Sequence, residues 1–155
     1  MGVLRAAAQH GPLGAVSYYV RYFADQLVNL KAIGGALVGV DPQFKIDGGE
    51  LMRGTELLGE IEICASGSDL FAEDLASKIA ELSRVANPAA HQTIARLRNT
   101  KAIVTLRVLD GERDPQVTWD LIGPLWSVLP ALSPGLTQSD GQGFYDRGQL
   151  VVALT

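Results

Sequence analysis

The sequence predicts an α+β fold: a mainly antiparallel sheet of about five to six strands with three to four helices packed on one face. Strand patterns cluster before and after the helical segments, and the regular alternation of a doubly wound α/β sheet, the second choice, is absent. The 155 residues, 47% hydrophobic and 19% charged, fit one domain that needs no disulfide or metal to form a core. We therefore expect a single domain over residues 1–155, with residues 1–14 as a loose leader.

The first half of the chain predicts strands around one short helix. β-Branched and aromatic residues alternate from Val16 to Phe23, which is typical of a strand. A helix is expected over Ala24–Ala32, because Gly34-Gly35 provides the left-handed conformation that ends helices. Asp47-Gly48-Gly49 favours a tight hairpin turn between two short strands. A longer strand over Glu56–Cys64 should point its odd-numbered residues to the core.

The second half predicts three helices and a core strand. One helix begins near Ser68-Asp69, and Asn87-Pro88 both stops it and caps the next helix. Lys101–Leu109 is nearly continuously apolar and predicts a buried strand. Asp114-Pro115 begins a helix that should extend to about Leu129 and kink at Pro124. The last expected elements are an extended piece at Leu136–Ser139, a turn at Asp140–Gly143 and a strand at Leu150–Leu154.

Charge and cysteine usage restrict the classes of partner and compartment. A formal net charge of −4 opposes binding to phosphate backbones, so nucleic acid is not an expected partner. Cys64 is the single cysteine and can form no disulfide within the chain, which favours a reducing, cytoplasmic compartment. Prolines interrupt the longest uncharged stretch, Leu121–Ser139, so no membrane association is expected.

Two acidic residues are the first candidates for chemistry. Glu60 and Glu62 lie on the same face of one predicted strand, and paired carboxylates serve general acid–base catalysis or divalent-cation binding. A strand face turned to solvent displays the same alternation, and we favour that interpretation. If the site is catalytic, Asp140 and Asp146 are further candidates, with Tyr145 as a proton donor.

Other candidate features have ordinary structural explanations. The stretch Gly34–Gly39 resembles a phosphate-binding loop only in its glycines, and it lacks both the dinucleotide fingerprint and the Lys-Ser/Thr of a nucleotide loop. His10 and His91 do not have the spacing of a metal pair, and His91 is expected on a solvated helix face. Cys64 is expected to be buried and inert, although a nearby helix start would favour an activated thiolate. We expect no cofactor and no metal.

The most distinctive segment is Gln138-Ser-Asp140-Gly-Gln-Gly-Phe144-Tyr145-Asp146. It resembles a tail of the form Gln-x-Asp-Gly-x-Gly-Phe-Tyr-Asp in uncharacterised bacterial proteins of about this size, a resemblance that extends to Gly34–Pro42 and implies no activity. From the residues themselves we expect a hairpin whose Phe144 and Tyr145 dock on the core. The alternative is a pocket rim formed by Asp140, Tyr145 and Asp146.

Two functional hypotheses follow from the sequence. The first is a non-catalytic binding or protein-interaction module of the accessory or immunity type, which binds a protein partner, a second copy of itself or a small molecule. Tyr and Trp are enriched at protein interfaces, and the candidate interface residues are Tyr18, Tyr19, Tyr22, Trp119 and Trp126. The second is a small carboxylate-dependent enzyme that acts on a small molecule.

Overall fold

The computed structural model describes residues 17–154, which form eight strands and four helices. The strands are β1 (Ser17–Ala24), β2 (Phe44–Asp47), β3 (Glu50–Arg53), β4 (Glu56–Ala65), β5 (Ala102–Leu109), β6 (Gly135–Ser139), β7 (Gly143–Asp146) and β8 (Gln149–Ala153). The helices are α1 (Leu30–Val40), α2 (Asp69–Ser83), α3 (Pro88–Leu97) and α4 (Pro115–Leu132). The predicted leader at residues 1–14, with His10, and the predicted strand start at Val16 lie outside the described residues.

All eight strands belong to one antiparallel sheet in the order β2-β3-β4-β5-β1-β6-β7-β8. The α+β class and the antiparallel sheet are thus confirmed, whereas the expected five to six strands were too few. Much of the error lies at β7, which spans four residues and begins at Gly143, a residue assigned to a turn from the sequence. Four residues are too few to show a period-two pattern against the turn residues that flank them.

The helices cover both faces of the sheet, so the expectation that they pack on one face was wrong. Tyr18, Val20 and Tyr22 of β1 share a core with α1 and α4. Phe23, the next residue of β1, belongs to a second core with α2 and α3. Successive side chains of a strand point to opposite faces, so the two helix pairs lie on opposite sides. The sequence shows that each helix has an apolar stripe, but not which face of the sheet receives it.

Helix α1 begins six residues later than predicted and continues through Gly34-Gly35. Asn29 caps it, because the Asn29 side chain accepts a hydrogen bond of 2.8 Å from the backbone nitrogen of Ala32. Each helical glycine costs about 1 kcal/mol relative to alanine, yet Ile33 and Leu37 are fully buried and their packing outweighs that cost. The glycines therefore neither end this helix nor form a phosphate-binding loop.

The remaining helices begin at the predicted caps. Ser68, Asn87 and Asp114 each accept a hydrogen bond from the first turn of α2, α3 and α4 respectively. Helix α4 extends past Pro124 to Leu132, three residues beyond the predicted end. In β4, Ile61 and Ile63 face the α1–α4 core as predicted, but an irregularity in the β3–β4 pairing also buries Leu58.

Candidate binding surface on the open half of the sheet

Cross-strand rows divide the sheet face that carries α2 and α3 into an apolar part and a polar part. Cys64, Ile103, Phe23 and Leu136 form one row across β4, β5, β1 and β6, and all four belong to the core beneath α2 and α3. The next two rows are mainly polar; within residues 17–154, Glu50, Glu60, Glu62 and Tyr19 of these rows are exposed, whereas Thr105 and Gln138 are buried. We call these two rows the open sheet face, and their residues are Glu50, Glu60, Arg107 and Tyr19 in the outer row and Glu62, Thr105, Arg21 and Gln138 in the inner row.

A cavity of about 460 Å³ lies on the open sheet face and includes both predicted glutamates. Glu60 and Glu62 line it together with Arg107, Tyr19 and the turn between β2 and β3. That turn closes one side, because the Gly49 carbonyl accepts a hydrogen bond of 2.8 Å from the backbone nitrogen of Ile61. The cavity is a shallow depression open to solvent rather than an enclosed chamber.

Arg107 pairs with Glu60, the predicted carboxylate of the outer row. Its Nε donates a hydrogen bond of 2.8 Å to Oε1 of Glu60, directly across the β4–β5 pairing. The Glu60 side chain is 51% exposed, so water also reaches this ion pair. A carboxylate that is paired with a guanidinium and reached by water is suited to recognition more than to proton transfer.

Arg21 is the centre of the inner row. Its Nη1 donates hydrogen bonds of 3.1 Å to Oε1 of Gln138 and to Oδ1 of Asp140. On its other side, Nε lies 3.8 Å from a carboxylate oxygen of Asp74 on α2. The guanidinium also lies 5.3 Å from the ring centroid of Tyr19. Arg21 thereby links α2, β6 and the exposed tyrosine into one surface.

Asp140 has a structural role at the end of β6. Its Oδ2 accepts a hydrogen bond of 3.2 Å from the backbone nitrogen of Tyr19, and its own backbone nitrogen donates to the Tyr19 carbonyl. These bonds extend the β1–β6 pairing by one residue. Asp140 is one of the five candidate residues for the carboxylate-dependent enzyme. It thus lies beside the open sheet face and is joined to it through Arg21 and Tyr19.

The other two enzyme candidates lie elsewhere. Asp146 is at the end of β7 and pairs at 3.0 Å with Arg96 of α3. Tyr145 points to the opposite face from its neighbour Phe144, and its hydroxyl donates to Oε1 of Gln142 at 2.8 Å. Phe144 is fully buried and Tyr145 is 4% exposed, as expected for a hairpin docked on the core. The structure therefore does not bring the five candidates into one site.

Most of the candidate interface aromatics are buried. Tyr18, Tyr22 and Trp119 belong to the core beneath α1 and α4, and Trp126 is partly buried against it. Burial is the largest cause that raises the pKa of Tyr22 to about 12, and it raises the pKa of Tyr18 further. Tyr19 is 39% exposed, which makes it the candidate that a partner on the open sheet face would contact.

The remaining candidates have structural explanations. Cys64 is buried, and desolvation followed by the nearby carboxylates of Glu62 and Asp74 raises the pKa of its thiol, which makes a reactive thiolate less accessible. His91 lies on the exposed side of α3. Within residues 17–154, no group of three or more His, Cys, Asp or Glu side chains is arranged to hold a metal ion.

Sequence reasoning did not identify Arg21, Arg107 or Thr105 as parts of this surface. The signal was present in β5, where Thr105 and Arg107 interrupt an otherwise apolar strand at a spacing of two. A buried strand should be apolar on both faces, so two polar residues on one face indicate a polar region there, although Thr105 itself is buried. The sequence alone does not predict which residues share a row, because the order β4-β5-β1-β6 joins strands that are far apart in the chain.

The comparisons with known proteins add no assignment to this geometry. No protein-family model matches the chain, and neither a curated protein nor a solved structure gives a significant match. No helix among the described residues is long and apolar enough to cross a membrane.

Proposed function

We propose that this protein is a non-catalytic binding module of the accessory type, which contacts a basic segment of a protein partner with its open sheet face. The observation that carries the proposal is a polar region of the sheet in which Glu50, Glu60, Glu62 and Tyr19 are exposed within residues 17–154. A solvated antiparallel face needs no partner by itself. Here, however, the face also has a cavity, an exposed tyrosine and ordered charges.

The charges indicate the chemistry of the partner. Two guanidinium groups, of Arg21 and Arg107, are surrounded by five carboxylates, those of Glu50, Glu60, Glu62, Asp74 and Asp140. The excess is negative, in line with the net charge of −4 for the whole chain. Lys and Arg side chains of a partner would gain from this potential, and their approach would be accelerated at low salt.

The carboxylate-dependent enzyme is the weaker alternative. It is favoured by one observation, which is that Glu60 and Glu62 line the same cavity. It is opposed by the solvent access of that cavity and by the pairing of Glu60 with Arg107, because acid–base catalysis profits from a water-excluded carboxylate. Tyr145 and Asp146 also lie away from the cavity.

A titration with a basic peptide tests the proposed function. A lysine- and arginine-rich peptide, added to ¹⁵N-labelled protein at low salt, should shift the backbone amide signals of Tyr19, Thr105 and Arg107 in a saturable manner. A glutamate-rich peptide of the same length should not. Raising the salt concentration should weaken the interaction, because exposed charges are screened beyond roughly 10 Å at 0.1 M salt.

A matched pair of charge reversals makes the test specific. Glu62→Lys removes one carboxylate of the open sheet face and should weaken peptide binding about fivefold, the equivalent of a surface charge contact of about 1 kcal/mol. Glu112→Lys changes the same charge on an exposed residue outside the cavity and should leave the affinity nearly unchanged. Equal weakening by both substitutions would mean that only net charge matters, and the proposed surface would be wrong.

A further inference from the structure

A second cavity lies on the opposite face of the sheet, and it is independent of the open sheet face. It has a volume of about 410 Å³ and is bounded by the C-terminal half of α4, by β6 and by the turn between β7 and β8. Its lining includes Trp126, Ser127, Pro130, Thr137 and Arg147, and we call the space between them the α4 cavity. Like the first cavity it is a depression open to solvent, and its volume is within the range of small-molecule sites.

The apolar wall of the α4 cavity is held rigidly. The ring of Trp126 stacks on Trp119 with a centroid separation of 6.4 Å and an interplanar angle of 27°. Trp119 in turn contacts Tyr18, with a centroid separation of 6.3 Å, and both of these supporting side chains are buried. Pro130 adds a second inflexible ring. A flat, apolar ligand would meet a preformed surface and would lose little free energy to side-chain ordering.

Arg147 provides the charge, and its backbone is unusual. It is the one non-glycine residue with a positive φ, 52°, among the residues that the structure describes. Arg147 and Gly148 are the central residues of a two-residue hairpin turn, for which asparagine or glycine is the favoured first residue. Arginine there destabilises the turn relative to those residues, so hairpin formation alone does not explain its presence.

Arg147 is exposed at the turn between β7 and β8. Within residues 17–154 it forms no ion pair, and the adjacent carboxylate of Asp146 pairs with Arg96 instead. The Arg147 charge is close enough to Tyr22 to lower the pKa of that hydroxyl somewhat against the larger effect of burial. A positive group at the edge of a cavity, with no ion-pair partner among the described side chains, favours an anionic ligand.

We propose that the α4 cavity binds a small aromatic carboxylate. The aromatic body would lie against Trp126 and Pro130, and the carboxylate would accept hydrogen bonds from the Arg147 guanidinium, which has the planar geometry for two parallel bonds. Ser127 and Thr137 also line the cavity, and the Ser127 hydroxyl donates a hydrogen bond of 3.3 Å to the Gly123 carbonyl of α4. No step of this proposal depends on a partner at the open sheet face.

The test uses 2-naphthoate as the probe and its uncharged analogue 2-naphthamide as the comparison. The chain has two tryptophans, so a ¹H–¹⁵N spectrum of the folded protein contains two indole signals, and Trp126→Phe identifies that of Trp126. We expect 2-naphthoate to shift the Trp126 indole signal in a saturable manner. The neutral amide should bind about tenfold more weakly, because it lacks the charge-assisted hydrogen bonds.

Arg147→Gly separates binding from folding, because glycine suits the positive φ better than arginine does. We expect this variant to melt at the same or a higher temperature, to bind 2-naphthoate about tenfold more weakly, and to distinguish it no longer from 2-naphthamide. Arg98→Gln is the control, since it removes the same charge from the exposed C-cap of α3 on the other side of the sheet. The affinity of the Arg98→Gln variant for 2-naphthoate should match that of the unmodified protein.

Three outcomes would overturn the proposal. The first is the absence of a saturable shift at the Trp126 indole with 2-naphthoate. The second is equal affinity of the unmodified protein for 2-naphthoate and 2-naphthamide. The third is equal loss of affinity in Arg147→Gly and Arg98→Gln, which would assign the effect to net charge rather than to the α4 cavity.

Discussion

The β2–β3 and β7–β8 hairpins have the same kind of two-residue turn but different residues in it. Each has two central residues with positive φ: 58° and 81° at Gly48 and Gly49, and 52° and 82° at Arg147 and Gly148. Each also borders a cavity, the first on the open sheet face and the second below α4. Glycine is favoured at both central positions of such a turn because it adopts a positive φ without strain, whereas arginine at the first position is disfavoured. The arginine in the β7–β8 turn therefore indicates a requirement other than turn formation.

The two cavities also differ in how their charges are arranged. On the open sheet face, both arginines are already engaged by carboxylates of the fold, and acidic groups remain in excess. At the α4 cavity, Arg147 has no ion pair among the described side chains. The first arrangement suits an extended basic partner, and the second suits a small anion. The two proposals thus assign opposite charge preferences to the two faces of the sheet.

The largest expected effect concerns the support of the β7–β8 hairpin. In Gly143→Ala, the new Cβ would overlap the Val152 carbonyl oxygen at a φ of 145° that alanine rarely adopts. We expect the free energy of unfolding to fall by about 3 kcal/mol or more, measured by urea denaturation. Gly141→Ala has open space around its Cβ and should cost only about 1 kcal/mol. Equal effects would mean that the β7–β8 pairing is looser than the structure indicates.

The next effect concerns Tyr22, which joins the sheet to the C-terminal end of α4. Its hydroxyl donates a buried hydrogen bond of 2.6 Å to the Ser133 carbonyl. Tyr22→Phe leaves that carbonyl unsatisfied and should destabilise the protein by about 2 kcal/mol at pH 7 in urea denaturation. A loss below about 0.5 kcal/mol would show that water replaces this bond.

Tyr22→Phe should also change the alkaline stability profile. Because burial raises the pKa of Tyr22 from its ordinary 10.0 to about 12, the folded state retains a proton that the unfolded state releases between those values. Stability should therefore fall as the pH rises from about 10 to about 12. The variant lacks this group and should lose less stability over the same interval. Parallel profiles for the two proteins would contradict the assignment.

Two reciprocal substitutions at the first position of the two turns should have smaller effects on stability, and they test the comparison of the turns directly. Gly48→Arg places arginine at the equivalent first position of the β2–β3 turn and should destabilise the fold by about 1 kcal/mol. Arg147→Gly should stabilise it by about 0.5–1 kcal/mol, because the strain of positive φ is removed. Both values come from thermal or urea unfolding. A loss of stability in Arg147→Gly would show that the arginine supports the fold itself.

The smallest expected effect lies on the open sheet face. Glu60→Gln removes an ion pair with Arg107 in which the two side chains are 51% and 36% exposed. Such pairs contribute little, so the free energy of unfolding should change by about 0.5 kcal/mol or less. Binding of the basic peptide should weaken nonetheless. A large stability loss would indicate that this face is built for the fold rather than for a partner.

Local sequence patterns predicted most elements of this protein, because caps and turns depend on neighbouring residues. Ser68, Asn87-Pro88 and Asp114-Pro115 mark the starts of α2, α3 and α4, and Asp47-Gly48-Gly49 marks the first hairpin. The alternation of Glu60 and Glu62 with Ile61 and Ile63 predicted an exposed acidic strand face. The prediction failed at α1, where the burial of Ile33 and Leu37 outweighs two helix-breaking glycines.

What the sequence determined by itself was the α+β class, the caps and the acidic face of β4. Only the tertiary structure decided that the helices divide between both faces, that Arg107 pairs with Glu60 and that Arg21 pairs with Asp140. It also decided that Arg147 borders a cavity with Trp126. The physical reason is that caps and alternation are properties of adjacent residues, whereas strand order and helix placement follow from the burial of the whole apolar surface.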